Sequence, residues 1–202
     1  DGGVCSTIAG RTNLDMLEEA AKDAAAVVAL GSCAAYGGIA GAKPNPTGAV
    51  GIPGLVKGKP LVSIPGCPPM PEAIAATLAH LAAFGKAPPL DAKKRPLAFY
   101  GDTVHHECDR WEHWRAGRFA ERFDDEGARK GWCLLKLGCR GPTTHNACAE
   151  RGWNGGASYP MQAGHPCLGC SEPGFWDKGG VYTPQASHLG RRWRGGRGNR
   201  DW

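Results

Sequence analysis

The sequence predicts an α/β fold, a parallel sheet with helices on its faces, followed by an irregular, mostly coil and helical segment rich in metal-ligand side chains. Three observations carry this. Short apolar runs at 24–30 and 59–64 alternate with helix-like stretches at 13–23 and 71–84. Such alternation implies right-handed crossovers and parallel strands. Each of those runs leads into a glycine and then a cysteine, at Gly31-Ser-Cys33 and Pro65-Gly-Cys67. Beyond residue 100 the apolar periodicity fades, and six of the nine cysteines gather between His105 and Cys170.

In chain order, Thr12-x-x-Asp15 resembles a capping box ahead of Leu14, Met16 and Leu17, which predicts a helix over about 13–23. Residues 24–30 (AAAVVAL) are an unbroken apolar run, suited to a strand buried on both faces. Residues 37–58 carry repeated Gly and Pro and read as a long loop, of a length that is usually functional or disordered. KPLVSI at 59–64 is the next strand. Pro71 opens a helix that Gly85 closes, with Ile74, Leu78 and Leu81 on its expected apolar face. RPLAFY at 95–100 is a third strand candidate, and 115–123 and 124–131 are helical candidates.

Composition narrows the function. The 202 residues suffice for one large domain or two small ones with a real core, and 42% hydrophobic residues is a globular proportion. Glycine and proline together make 47 positions (31 and 16), a loop-rich balance. No window approaches the roughly 18 apolar residues of a spanning helix. The chain begins at Asp1-Gly-Gly without Met, so a fragment or processed product is expected. Net charge is +5, concentrated in the five arginines of 191–200. That tail invites a phosphate contact, but a solvated terminus is the expectation. The rest of the chain has no basic stripe, so no nucleic-acid partner is expected.

Nine cysteines cannot all pair internally, and disulfide frameworks belong mainly to chains too short to build a core. Metal or cluster ligation is the better reading. Cys33 and Cys67 both fall just past the carboxyl ends of strands, where open α/β sheets bind ligands. The alternative is that they are two small buried hydrophobes. His105, Cys108, Cys133 and Cys139 form a set of four; Cys148, Cys167 and Cys170 form a set of three. Zinc would accept the first set, three thiolates and an imidazole. The set of three suits zinc poorly, whereas iron–sulfur clusters explain both, as 4Fe–4S and 3Fe–4S. Spacing favours clusters, with zinc still open for the first set. Imidazole in place of a thiolate leaves a cluster less negative, raises its potential and suits an exit point for electrons. His80 and His188 read as structural.

These residues bring a resemblance into view. Gly31-Ser-Cys33-Ala, Pro44-Asn-Pro46-Thr, Pro65-Gly-Cys67-Pro-Pro69 and Val104-His105-x-x-Cys108 resemble motifs of the small, electron-transfer subunit of nickel–iron hydrogenases. So do Gly131-Trp-Cys133, Leu137-Gly-Cys139-x-Gly-Pro142, His145-Asn-x-Cys148 and Gly164-His-Pro-Cys167-x-x-Cys170-Ser-Glu. The resemblance runs from residue 1 to about 184.

The resemblance implies an electron relay in a heterodimer, with the nickel–iron centre in the partner large subunit. It makes Cys33 and Cys67 two of four ligands to a proximal 4Fe–4S cluster. Cys148, Cys167 and Cys170 become ligands of a medial 3Fe–4S cluster, and His105, Cys108, Cys133 and Cys139 those of a distal 4Fe–4S cluster. Pro160 stands where relatives with a fourth medial ligand carry cysteine. It also implies a partial flavodoxin-like domain at 1–100, an iron–sulfur domain at 101–185 and a basic tail at 186–202. Family members begin with a segment whose Cys-x-x-Cys supplies the other proximal ligands; without it, residues 1–202 look like a C-terminal fragment. Oxygen-tolerant relatives carry an extra cysteine where this chain has Gly38, which argues for a standard proximal cluster. Cys5 is read as structural.

By the same likeness the acceptor is a cytochrome b or another external carrier, at the periplasmic face of the cell membrane. Two other readings remain: a hydrogen-sensing subunit that signals to a partner, and a zinc- or disulfide-stabilised binding module. The related quinone-reductase cluster subunit shares the Cys33 and Cys67 motifs but lacks the later ligand sets.

Overall fold

The computed structural model describes residues 2–179 and 181–184. The predicted features of the tail at 186–202, and His188, lie outside the described residues.

The fold is mixed α/β, with a small parallel sheet near the N-terminal side and short helices linked by turns beyond it. A two-residue hairpin, β1 (Thr7–Ile8) and β2 (Arg11–Thr12), leads into α1 (Asn13–Lys22). Thr12 caps that helix by accepting the Asp15 N–H at 3.0 Å, as its sequence predicts. β3 (Val27–Leu30) and β4 (Leu61–Ile64) pair in parallel, with Val27 opposite Leu61 and Leu30 opposite Ile64. A short helix, α2 (Gly31–Tyr36), follows β3 at once.

The long connection after α2 is ordered by its own contacts. The Asn45 side chain donates to the Ala49 carbonyl at 2.9 Å and accepts the Ala49 N–H at 2.8 Å. Gly51 packs so tightly on α2 that a Cβ there would lie 2.4 Å from the Ala35 oxygen. α3 (Pro71–Phe84) starts at its proline and ends at Gly85, whose φ of +63° glycine adopts without strain.

Several expectations need correction. The first strand begins at Val27 rather than Ala24, and only Ala29 in it is fully buried; Leu30 is 44% exposed. Ala29 packs into the core, while the run's other face stays partly open. α3 buries the small side chains Ala73 and Thr77, and Leu78 is exposed. Ile74 is partly buried against the core but Leu78 is exposed, so the Ile74–Leu78–Leu81 stripe does not mark the buried face.

RPLAFY is not a strand. Pro96 caps a helical turn, α4 (Leu97–Tyr100), whose Phe99 and Tyr100 amides donate to the Pro96 carbonyl at 3.0 Å. The predicted helix at 115–123 is also absent. Helix α5 (Trp111–Arg115) ends where that span begins, capped by Ala116, and Gly117 beyond it has a φ of +68°. The second candidate shrinks to α6 (Glu126–Arg129).

One buried apolar cluster runs through the molecule, from Val62, Ile64 and Ala73 through Tyr100 and Val104 to Leu134, Leu137 and Met161. Each Val, Ile, Leu or Met among them contributes about 1.5–3 kcal/mol when fully buried. Cys139, Cys148 and Cys167 belong to the same cluster. In the later half of the chain, ligand-type thiols therefore occupy positions that aliphatic side chains fill elsewhere.

Candidate metal centres

The first site grows from the sheet. Parallel, in-register β3 and β4 release the chain at one edge, and Gly31 (φ +84°) turns it into α2. Ser32 N–H donates to the Gly66 carbonyl at 2.9 Å, and Gly66 N–H donates to Ser32 Oγ at 3.0 Å. Gly66 (φ +152°) lies where a Cβ would stand 2.6 Å from the Pro69 Cα. Tyr100 pins the same loop by donating its hydroxyl to the Pro65 carbonyl at 2.7 Å. The two loops so laced present Cys33 and Cys67, both exposed and unpaired. Their exposure removes the alternative that they are small buried hydrophobes. Cys5 is also a free, exposed thiol, set before the first hairpin.

The second set is buried. Cys148 opens a short helix, α7 (Cys148–Arg151), and is 6% exposed; Cys167 is 8% exposed. Cys170 follows Gly169, whose φ is +80° and whose missing side chain leaves room for Arg140. Burial pushes the Cys148 thiol up to about 11, with the neighbouring Cys170 adding to it. Burial also raises Cys167 and Cys170. Ionised thiolates in such a place need a compensating cation, which is the condition for metal ligation.

The third set surrounds a single cavity. His105, Cys108, Cys133 and Cys139 all line it, together with Val104, Arg110, Leu134, Gly141 and Met161. Cys108 comes from the turn after His105; Cys133 is placed by a bridge to Phe119 and by its amide donating to the Arg118 carbonyl at 3.1 Å. Cys139 follows Gly138, whose φ is +88°. Burial pushes Cys133 up to about 12, and raises Cys108 and Cys139. The Arg110 guanidinium opposes that rise at all three thiols. Trp111 and Trp114 meet His105 edge-on, with ring centroids 4.8 and 4.9 Å from it.

Among the described residues, no three His, Cys, Asp or Glu side chains close on one point as a single metal ion requires. The four donors of this set all line the one cavity. The sets also adjoin one another. Ser32 donates its hydroxyl to the Cys170 carbonyl, and the Cys167 amide donates to Cys139 Sγ at 3.3 Å.

Sequence reasoning missed the residues that hold these sites. Arg110, 9% exposed, donates to the Met161 carbonyl at 2.7 Å and the Trp132 carbonyl at 2.6 Å. Glu172, 5% exposed, accepts from Arg95 at 2.8 Å and from the His145 amide at 2.8 Å, and pairs with Lys93 at 2.5 Å. Ser32, Arg110, Arg140 and Glu172 each lie within two residues of a candidate ligand cysteine. That adjacency was the available signal.

Comparisons with known proteins find related families and structures. The family model for the C-terminal region of the NiFe/NiFeSe hydrogenase small subunit matches residues 100–183, and that of the "NADH ubiquinone oxidoreductase, 20 Kd subunit" matches 1–81. The uptake hydrogenase small subunit of Azotobacter chroococcum mcd 1 is 49% identical over 209 residues, covering 98% of this chain and 59% of its own length. Among solved structures, the recombinant [NiFeSe] hydrogenase of Desulfovibrio vulgaris Hildenborough aligns with a TM-score of 0.74 at 34% identity, covering 90% of this chain and 70% of that one. The actinobacterial-type NiFe-hydrogenase of Ralstonia eutropha H16 aligns with a TM-score of 0.80 at 34% identity, over 88% of this chain and 54% of that one. The chain spans 59% of the length of the Azotobacter relative.

Proposed function

Because the chain belongs to the NiFe/NiFeSe hydrogenase small-subunit family, we propose that it is the electron-relay subunit of a nickel–iron hydrogenase. The nickel–iron centre, where H2 is oxidised, belongs to a partner large subunit. Cys33 and Cys67 supply two ligands of a proximal 4Fe–4S cluster. Cys148, Cys167 and Cys170 hold a medial 3Fe–4S cluster. His105, Cys108, Cys133 and Cys139 hold a distal 4Fe–4S cluster. Bound clusters supply one-electron carriers, chemistry that no side chain here provides.

The observation that carries this reading is the cavity that all four donors of the third set line. A single zinc ion would draw three or four of them to one point about 2.0–2.3 Å away. The chain's own residues fix and tune the sites. Arg110 places a buried cation against the third set, and main-chain amides donate to the Cys139 sulfur. His105, against which two stacked indoles set their edges, is the exit point for electrons in this reading. The division into a sheet-bearing part at 1–100, a cluster-bearing part at 101–185 and a basic tail at 186–202 belongs to the same proposal. So do a cytochrome b or similar acceptor and a location at the periplasmic face of the cell membrane. No helix among the described residues is long and apolar enough to cross a membrane.

The test is to purify the complete gene product with its large subunit, measure iron, sulfide and zinc, and record low-temperature EPR. An oxidised 3Fe–4S signal with co-purifying nickel is expected. Little iron and about one zinc per chain, as a structural zinc site would give, would overturn the reading.

A further inference from the structure

The three-thiol and four-ligand sets meet where the Cys167 amide donates to Cys139 Sγ at 3.3 Å. The donor belongs to a ligand of one set and the acceptor is a ligand atom of the other. From Cys167 Sγ the connection runs through Cβ, Cα and N–H to the Cys139 sulfur, all within buried side chains. A hydrogen bond onto a ligand sulfur also stabilises its negative charge.

Regular structure does not hold this contact, because residues 165–169 have no helix or strand. Arg140 holds it instead. Its own amide donates to the Cys167 carbonyl at 2.8 Å, so Cys139 and Arg140 grip the backbone on both sides of the Cys167 Cα. Its guanidinium is buried, with the residue 7% exposed, and donates through Nη1 to the Phe175 carbonyl at 2.7 Å and the Leu168 carbonyl at 3.3 Å. Nη2 donates to the carbonyls of Lys178 at 2.8 Å and Gly179 at 3.2 Å. Thr144 Oγ1 donates to the Arg140 carbonyl at 2.6 Å. A planar fork can satisfy several main-chain acceptors at once; the point charge of a lysine cannot reproduce that geometry.

We propose that the Cys167 N–H···Sγ Cys139 contact is the electronic crossing between the three-thiol and four-ligand sites, and that Arg140 is the positioning residue that maintains it. This rests on the relay function proposed above.

The test uses the intact complex with Arg140→Lys and Arg140→Gln. Low-temperature EPR reports whether both sites are filled and whether their spins interact. Hydrogen exchange of the peptide spanning 163–168 reports on the Cys167 amide. The ratio of H2-driven dye reduction to hydrogen-isotope exchange separates electron exit from chemistry at the partner's metal centre. Both variants are expected to keep both EPR signals, with a weakened spin interaction. Amide exchange should quicken by about tenfold or more, the equivalent of losing a charge-assisted hydrogen bond. The ratio should fall about tenfold, further in Gln than in Lys.

Unchanged amide exchange would show that Arg140 does not hold the contact. Faster exchange with an unchanged ratio would show that the contact does not couple the sites. Loss of either EPR signal in both variants would reduce Arg140 to a scaffold residue. Each of these overturns the inference. A wild-type complex without either signal would sink the relay function itself.

Discussion

Gly38 stands against Cys33 so closely that a Cβ on it would lie 2.4 Å from the Cys33 Sγ and 2.9 Å from its Cα. Its φ of +58° independently disfavours a side chain. The position of the Cys33 thiol thus depends on a residue five places later having no side chain.

Gly38→Ala should displace that thiol and empty the sheet-edge site while sparing the other two. Iron content of the purified complex is expected to fall by the share of one cluster, with the 3Fe–4S EPR signal intact. Full iron content in the variant would show that the loop absorbs the methyl group and that the close approach has no consequence.

Glu172 joins the segment after Cys170 to Arg95 and Lys93. With Arg95 2% and Glu172 6% exposed at the side chain, Glu172→Gln removes one charge from a buried pair. Breaking such pairs costs about 3–5 kcal/mol. Asp91, whose Oδ2 lies 2.7 Å from Arg95 Nε, still neutralises the arginine, so the lower end, about 3 kcal/mol, is expected. The denaturant midpoint of the purified complex checks this, and a change under about 1 kcal/mol would contradict it.

Arg110 bears on the third set by charge. Its guanidinium opposes the burial that raises Cys108, Cys133 and Cys139. A nearby cation stabilises the more negative, reduced state of a site. Arg110→Gln should therefore lower the midpoint potential of the His105-containing site in an EPR-monitored titration. An unchanged or higher potential would refute this assignment.

Asp125 caps α6, accepting from the amides of Ala128 at 2.6 Å, Glu121 at 2.7 Å and Arg122 at 3.1 Å. The Ala128 and Glu121 amides hold its carboxyl below the usual 3.8. A depressed carboxylate contributes stability that is fully present above 3.8 and lost as pH falls through the folded value. Asp125→Asn should be less stable than wild type at neutral pH, and the difference should shrink as pH falls below 3.8. A gap that stayed constant through acid would exclude the charge as its cause.

Much of the fold was legible where local chemistry decides it. Thr12 and Pro71 start helices and Gly85 ends one as their residue types require. The apolar runs before Gly31 and Gly66 read correctly as parallel strands, although in the first only Ala29 is fully buried and the expected burial on both faces does not occur. RPLAFY misled because its apolar residues suit either a strand or a helical turn, and Pro96 as a cap decided for the turn. The helix expected at 115–123 failed for a similar reason. Gly117 and the bridge between Phe119 and Cys133 bind that segment to a distant part of the chain.

The sequence by itself determined the candidate donors: the thiols and the imidazole that the proposal divides into sets of two, three and four. Residue type and short spacing suffice for that, because ligand chemistry is a property of the side chain. Tertiary structure alone decided that His105, Cys108, Cys133 and Cys139 share one cavity, that Ser32 reaches the Cys170 carbonyl, and that Arg140 ties the Cys167 segment to Cys139. These contacts join residues up to 138 positions apart. They follow from burial, which forces each polar group in the thiol-lined core to find its partner wherever the chain happens to pass.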